Sequence, residues 1–181
     1  MFRAIAALSL ASAASFATAA TTNVSGLDAT TPWWERVTIT ISGDGHPQSC
    51  RFESSLKPED GQECQVEASQ AAVAKTSTGS KDSLTRITFE RRFSPGAQPD
   101  AALPTGDTLL GRQVMALAIG TKGTVEGCKI VAASGDMRPE YGCKEASAER
   151  FQTSAATGAK PTATREAYMT ILVYGHSEHV V

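Results

Sequence analysis

The sequence predicts an α+β protein built from two small β-β-α-β units in tandem, each closed by one disulfide. Three observations support this fold class. A strand with alternating apolar residues occurs twice, as Val37–Ile41 and again as Met115–Ile119. A glycine turn and then a cysteine follow each copy at the same spacing. A second cysteine and a segment of helical character come next in both halves, which indicates an internal duplication.

Composition places the chain among folded, non-basic proteins. Of its 181 residues, 41% are hydrophobic and 20% are charged, which is more apolar than disordered chains are. The formal net charge of −2 provides no positive field for nucleic acid or anionic lipid. No apolar run reaches the roughly 18 residues that a membrane span needs.

The N-terminus has the pattern of a secretory signal. Arg3 precedes a run of small and apolar residues from Ala4 to Ala17, and Ala17-Thr18-Ala19 is an A-x-A cleavage site. An uncleaved anchor is the alternative, but the run is short and rich in alanine for that role. We therefore predict a bacterial signal peptide over residues 1–19 and a periplasmic or secreted protein, where cysteines form disulfides.

The remaining chain divides into two predicted repeats joined by a linker. The linker contains Pro95, Pro99 and Pro104, as a boundary often does. The predicted segments are an N-terminal tail over 20–32, a first repeat over 33–93, a linker over 94–108, a second repeat over 109–176 and a C-terminal tail over 177–181.

Each repeat contains the same predicted elements in the same order. After the first strand and its turn at Gly45 or Gly123 comes a short second strand, then a polar loop, a helix and a closing strand. The predicted second strands cover 50–54 and 128–132, the helices 62–75 and 140–153, and the closing strands 84–93 and 167–174.

The duplication also predicts how the four cysteines pair. Four cysteines allow three connectivities, and a repeat favours Cys50–Cys64 and Cys128–Cys143, one bridge inside each unit. A redox pair or a metal site is the functional alternative, but the sequence has no C-x-x-C. Closing a loop of this length contributes roughly 3 kcal/mol in the chain-entropy model.

The second repeat resembles the C-terminal domain of TonB-type energy transducers. The resemblance rests on Gly123-Thr-Val-Glu-Gly-Cys128, on Ser134-Gly135 and Cys143, and on Arg150-Phe151 followed by Gly158-Ala-Lys-Pro161. It covers about 65 residues, and the first repeat matches more weakly. The Pro-Ala that often follows Arg-Phe is absent here, as are the family's membrane anchor and long Pro-rich segment. The chain is thus expected to be a soluble variant with a TonB-like fold.

The resemblance implies binding of an extended segment of a partner protein, such as an outer-membrane TonB-dependent receptor. Such binding works by β-strand addition to an open sheet edge. The expected edge is the closing strand of the second repeat, with Tyr168, Thr170, Leu172 and Tyr174 as candidate contacts. In the alternative, this strand pairs with the other repeat in an intramolecular pseudo-dimer and is not free.

The aromatic pair Trp33-Trp34 is a further candidate for partner binding. Alternatively, one ring caps the sheet core and the other is half-exposed. The charged residues Glu90, Arg91 and Arg92 are expected on a solvent-exposed face.

No catalytic site, metal site or cofactor is predicted. The sequence contains no G-x-S-x-G, H-E-x-x-H or P-loop motif. His176 and His179 stand at a metal-ligand spacing, but in a tail that we expect to be frayed. The chain is therefore predicted to be a non-enzymatic binding module. A disulfide-stabilised structural, envelope-associated or inhibitor protein without a transport role is the alternative.

Overall fold

The computed structural model describes residues 26–56, 62–64, 83–98, 102–137, 139–153 and 162–179. The predicted signal peptide and most of the predicted first helix lie outside these residues. The described elements are β1 Leu27–Asp28, β2 Trp33–Ser42, β3 Pro47–Ser54, β4 Gln62–Glu63, β5 Ser83–Pro95, β6 Thr108–Ile119, β7 Val125–Gly135, α1 Cys143–Ala148, β8 Phe151–Gln152 and β9 Arg165–His179.

Seven strands form one antiparallel sheet in the order β4-β3-β2-β5-β9-β6-β7. The short strands β1 and β8 pair separately and in parallel. The two halves of the chain are joined through β5 and β9, which pair without interruption from Ser83↔His179 to Pro95↔Ala167. Both halves therefore contribute to the same sheet.

The prediction of an α+β fold with tandem β-β-α-β units is wrong, because the described structure is almost entirely β. Residues 62–63 of the predicted first helix form strand β4 instead. The predicted second helix over 140–153 is reduced to the six residues of α1. The physical reason is the burial of Phe151. Its ring packs 5.3 Å from that of Phe93, and extended backbone from Glu149 onward places it there.

The internal duplication is visible in the strand register. Ile39 pairs with Cys50 in the first half, and Leu117 pairs with Cys128 in the second, 78 positions further on in both cases. Each hairpin has a register shift at the equivalent point, between Thr40 and Ile41 and between residues 118 and 119. Identical pairing is what two copies of one hairpin would produce.

The turns of these hairpins also match. In the first, the amide of Gly45 donates to the carbonyl of Ser42, and in the second the amide of Gly123 donates to that of Gly120. Gly45 and Gly123 have φ values of 86° and 76°, in the left-handed region where glycine is favoured. The glycine in each copy is thus required by the same turn.

One face of the sheet, here called the core face, carries the main apolar cluster. Trp33 stacks on Phe93 with ring centroids 5.3 Å apart, and α1 covers this cluster with the fully buried Ala146. The other buried members of the cluster are Ala29, Met115, Leu117, Ile119, Phe151, Ala167, Met169 and Ile171. The strand period of two directs Arg36, Thr38 and Thr88 to the opposite face, here called the polar face, which also holds the buried side chains of Val114 and Leu172.

Both predicted disulfides are confirmed. Cys50 is bonded to Cys64, which links β3 to the residue after β4, with Cα atoms 5.0 Å apart. Cys128 is bonded to Cys143, which links β7 to the first residue of α1, with Cα atoms 5.5 Å apart. Within the described ranges, no helix is long and apolar enough to cross a membrane.

Candidate functional site

The strand predicted to bind a partner lies in the middle of the sheet. Residues 168–174 belong to β9, which pairs with β5 on one side and with β6 on the other. Thr170, Leu172 and Tyr174 are buried, and Tyr168 is partly buried. Both backbone edges of β9 are occupied, so no further strand can be added there. The alternative, in which the closing strands of the two repeats pair, is the arrangement the structure has.

The two tryptophans have different surroundings. Trp33 is 3% exposed, and its indole Nε1–H donates to the carbonyl oxygen of Asp28 at 2.8 Å. Trp34 is half-buried and points to the polar face, where the guanidinium of Arg36 lies 4.7 Å from its ring centroid. Trp33 therefore belongs to the core, and only Trp34 offers an accessible ring face.

The outer edge of β7 is a long accessible edge of the sheet. Within the described residues β7 pairs with β6 alone, and it ends the strand order. Every residue from Lys129 to Gly135 is exposed, on both faces of the strand. Ile130 and Val131 are 48% and 47% exposed, which is unusual for large apolar side chains in a sheet. At the opposite end of the sheet, β4 has only two residues.

The rest of the fold holds this edge in place. The Cys128–Cys143 bond fixes β7 to α1, and the backbone of Thr124, just before β7, forms an antiparallel bridge with Arg150. A register shift between Val114 and Met115 leaves Val131 without a direct partner on β6. Such a bulge bends and twists an edge strand and re-aims its side chains. The strand predicted over 128–132 is shorter than β7, and this edge was not among the predicted sites, although the apolar run Ile130-Val131-Ala132 was an available signal.

A second feature of the core face is an ionic cluster around Arg91. Its guanidinium binds Glu35, with Nε 2.6 Å from Oε2, and it binds Glu149, with NH1 2.8 Å from Oε1. The hydroxyl of Tyr141 also donates to Glu149, at 3.1 Å. The expectation of a solvent-exposed charge cluster over 90–92 is therefore wrong. Arg91 is half-buried, with a side chain that is 24% exposed, and Glu90, on the other face, is 5% exposed.

Burial and charge both act on the cluster. Burial opposes the charge on Arg91, but the carboxylates of Glu35 and Glu149 outweigh it and raise the pKa of Arg91. Burial, together with the negative charge of Glu149, raises the pKa of the Tyr141 hydroxyl. Arg91 is therefore charged and Tyr141 neutral. Their contacts with Glu35 and Glu149 connect β2, β5 and the segment around α1.

The described residues contain no group of three or more His, Cys, Asp or Glu side chains placed to hold a metal ion. The ring of His176 contacts the carbonyl of Gly106 at 3.0 Å and the carboxylate of Asp107 at 3.4 Å. The side chain of His179 lies outside the described part of the structure. His176 therefore ties β9 to the loop before β6.

The fold and its edge define an antiparallel β-sheet protein with two disulfides, made from a duplicated hairpin. The sequence matches no protein-family model, no curated protein and no solved structure.

Proposed function

We propose that this protein is a non-catalytic binding module that takes up an extended segment of a partner protein by β-strand addition at the outer edge of β7. The observation that carries the proposal is the exposed 11-residue strand Val125–Gly135 at the end of the sheet. Its outward backbone N–H and C=O groups are the kind of template that an extended peptide pairs with.

The side chains of β7 suggest what the partner segment contains. Ile130 and Val131 expose apolar surface next to the exposed Ala132 and Ala133, and Lys129 precedes them. An added strand places alternate side chains on each face of the sheet, beside such neighbours. The matching segment thus carries β-branched or aromatic residues at alternate positions and an acidic residue opposite Lys129.

The proposed setting is the bacterial periplasm or the extracellular space. The two disulfides are compatible with an extracytoplasmic location. The resemblance of the second repeat to TonB C-terminal domains supports an extended segment of an outer-membrane receptor as the partner. In this proposal the segment binds β7, because β9 has no open edge.

The test is an NMR titration of the disulfide-bonded chain with synthetic peptides from the N-terminal plugs of TonB-dependent receptors. We expect amide shifts and slowed amide exchange over residues 125–135, with little change in β9. Shifts confined to other strands, or none at all with these peptides, would overturn the proposal.

Two single variants make the test specific. Ile130→Lys and Val131→Lys add charge to the edge, which natural sheets use to prevent strand addition, and each should weaken binding about tenfold or more. Leu109→Lys is the matched control, because Leu109 is another exposed large apolar residue, 38% accessible, but belongs to the interior strand β6. Equal weakening by all three variants would argue against the β7 edge.

A further inference from the structure

The polar face contains a cleft whose floor is built from three rows of side chains across the sheet. Strand pairing places the members of each row side by side on β3, β2, β5 and β9. The first row is Ser49, Thr40, Arg86 and His176, the second is Arg51, Thr38, Thr88 and Tyr174, and the third is Glu53, Arg36, Glu90 and Leu172.

The acidic groups of the third row are already satisfied. Arg36 Nε donates to Glu53 Oε2 at 2.7 Å, and this bond lowers the pKa of Glu53. Glu90 accepts from Arg92 Nε at 2.6 Å and from the hydroxyl of Tyr174 at 2.6 Å. Glu53 therefore lines one side of the cleft as a paired charge, and Glu90, which is not part of the lining, is satisfied as well.

The other two rows supply Arg51 and several hydroxyl groups to the cleft. Arg51 is held loosely, since its side chain is 60% exposed and its Nε lies 3.8 Å from Glu53 Oε1. Thr38 and Thr88 place their hydroxyl oxygens 3.2 Å apart on the floor, and Thr40 and Ser49 add two more hydroxyls. Hydroxyl groups of this kind both donate and accept hydrogen bonds.

The loop before β6 forms the opposite wall and completes an enclosure of about 580 Å³. It contributes Pro104, Thr105 and Asp107, and His176 contacts Asp107. That volume lies within the range typical of small-molecule sites. Among the described residues, the lining includes the arginines Arg36 and Arg51, and both face Glu53. Arg51 has the longer ion pair, 3.8 Å against 2.7 Å for Arg36, so its guanidinium can turn toward a bound anion.

We infer that this cleft binds a small polyhydroxylated oxyanion, of the class of sugar acids and sugar phosphates. The guanidinium of Arg51 would hold the carboxylate or phosphate, because arginine offers paired donors that match such groups. The hydroxyls of Thr38, Thr40 and Ser49 would contact those of the ligand. This site is on the polar face and is separate from the β7 edge, so each can be tested without the other.

Isothermal titration calorimetry and NMR on the disulfide-bonded chain test the inference, with glucuronate and glucose 6-phosphate as probes. We expect both to bind and to shift amides in the cleft strands. Uncharged glucose should bind at least about tenfold more weakly, because it lacks the charged partner of Arg51. No binding of either anion at about 10 mM, or equal binding of glucose, would overturn the inference.

Three variants separate the parts of the site. Arg51→Gln should weaken both anions about tenfold or more, whereas Arg150→Gln, an exposed arginine outside the cleft, should leave them unchanged. Thr40→Val should weaken glucose 6-phosphate but not inorganic phosphate. Binding that is insensitive to Arg51→Gln, or inorganic phosphate binding as tightly as glucose 6-phosphate, would contradict the assignment. Circular dichroism of each variant confirms that it is folded.

Discussion

Arg91 and Ile171 lie opposite each other at the centre of the β5–β9 ladder, and they are equivalent positions of the two repeats. The equivalence follows from the register, because Trp33 pairs with Phe93 where Gly111 pairs with Val173. The two halves are thus related by an approximate two-fold axis that passes between Arg91 and Ile171. At this axis one copy has a half-buried ionic cluster and the other has an aliphatic side chain.

Arg91→Ala should destabilise the protein by about 2–4 kcal/mol. The substitution leaves the carboxylates of Glu35 and Glu149 enclosed without their cation, which costs more than the net value of the pairs. Urea unfolding followed by tryptophan fluorescence measures the loss. Arg51→Ala is the control, because its side chain is 60% exposed, and it should change stability by no more than about 0.5 kcal/mol.

The pseudo-symmetry itself suggests a compensating change. Glu35 corresponds to Gln113 as Arg91 corresponds to Ile171, so the double variant Glu35→Gln with Arg91→Ile copies the second repeat into the first. Removing a carboxylate along with its cation should make this double variant more stable than Arg91→Ile alone, by about 1 kcal/mol or more. Additive losses in the double-mutant cycle would show that Glu35 and Arg91 are not coupled.

Alanine at Gly123 should be far more damaging than alanine at Gly45. Both glycines occupy the same turn position with positive φ, so each substitution costs about 1–2 kcal/mol of backbone strain. At Gly45 nothing lies within 4 Å of the added Cβ, but at Gly123 the Cβ would collide with the carbonyl oxygen of Phe151. We expect roughly 2 kcal/mol of extra loss for Gly123→Ala in urea unfolding. Equal losses of stability for the two variants would mean that β8 can shift away from the added Cβ at no cost.

The three tyrosines should titrate at higher pH in the folded protein than in the unfolded chain. Burial and the negative charge of Glu149 raise the pKa of Tyr141, burial and a hydrogen bond to Glu90 raise that of Tyr174, and a hydrogen bond to Glu166 raises that of Tyr168. The absorbance of tyrosinate near 295 nm, recorded against pH with and without about 8 M urea, measures the tyrosine pKa values of the unfolded and the folded chain.

The same shifts define an alkaline limit of stability. A phenol whose pKa is raised by folding favours the neutral form in the native state. Its contribution to the free energy of unfolding is therefore fully present below the pKa of the unfolded chain, 10.0. The contribution is lost as the pH rises from there through the higher pKa of the folded protein. The free energy of unfolding should fall above pH 10 in the wild type. Tyr141→Phe should reduce this fall, and an unchanged pH profile in that variant would contradict the account.

The two disulfides should differ in what they hold in place. Replacing either cysteine pair by alanine should cost about 3 kcal/mol, since both bridges close loops of similar length. Loss of Cys128–Cys143 should also expose the amides of α1 to exchange, because a six-residue helix is not stable without its anchor. Hydrogen exchange should show no such change in α1 when Cys50–Cys64 is removed. Equal protection of α1 in both variants would disprove this division of roles.

The strands, turns and disulfides that depend on short-range sequence patterns could be predicted without the structure. Alternating apolar residues identified β2 and β6, Gly45 and Gly123 marked their turns, and the repeated spacing paired the four cysteines correctly. Each of these depends on residues within about 15 positions of one another, where strand period, turn geometry and loop closure act directly.

How the two halves combine depends on contacts between residues that are far apart in the sequence. The pairing of β5 with β9 joins residues about 70–100 positions apart, and together with β6 it encloses β9 and leaves β7 at the edge. Phe151 is extended because the shared core has room for its ring beside Phe93. Arg91 is half-buried because its strand pairs with β9 there and Glu149 binds its guanidinium. Non-local burial, which no short-range pattern encodes, therefore placed the candidate binding edge on β7.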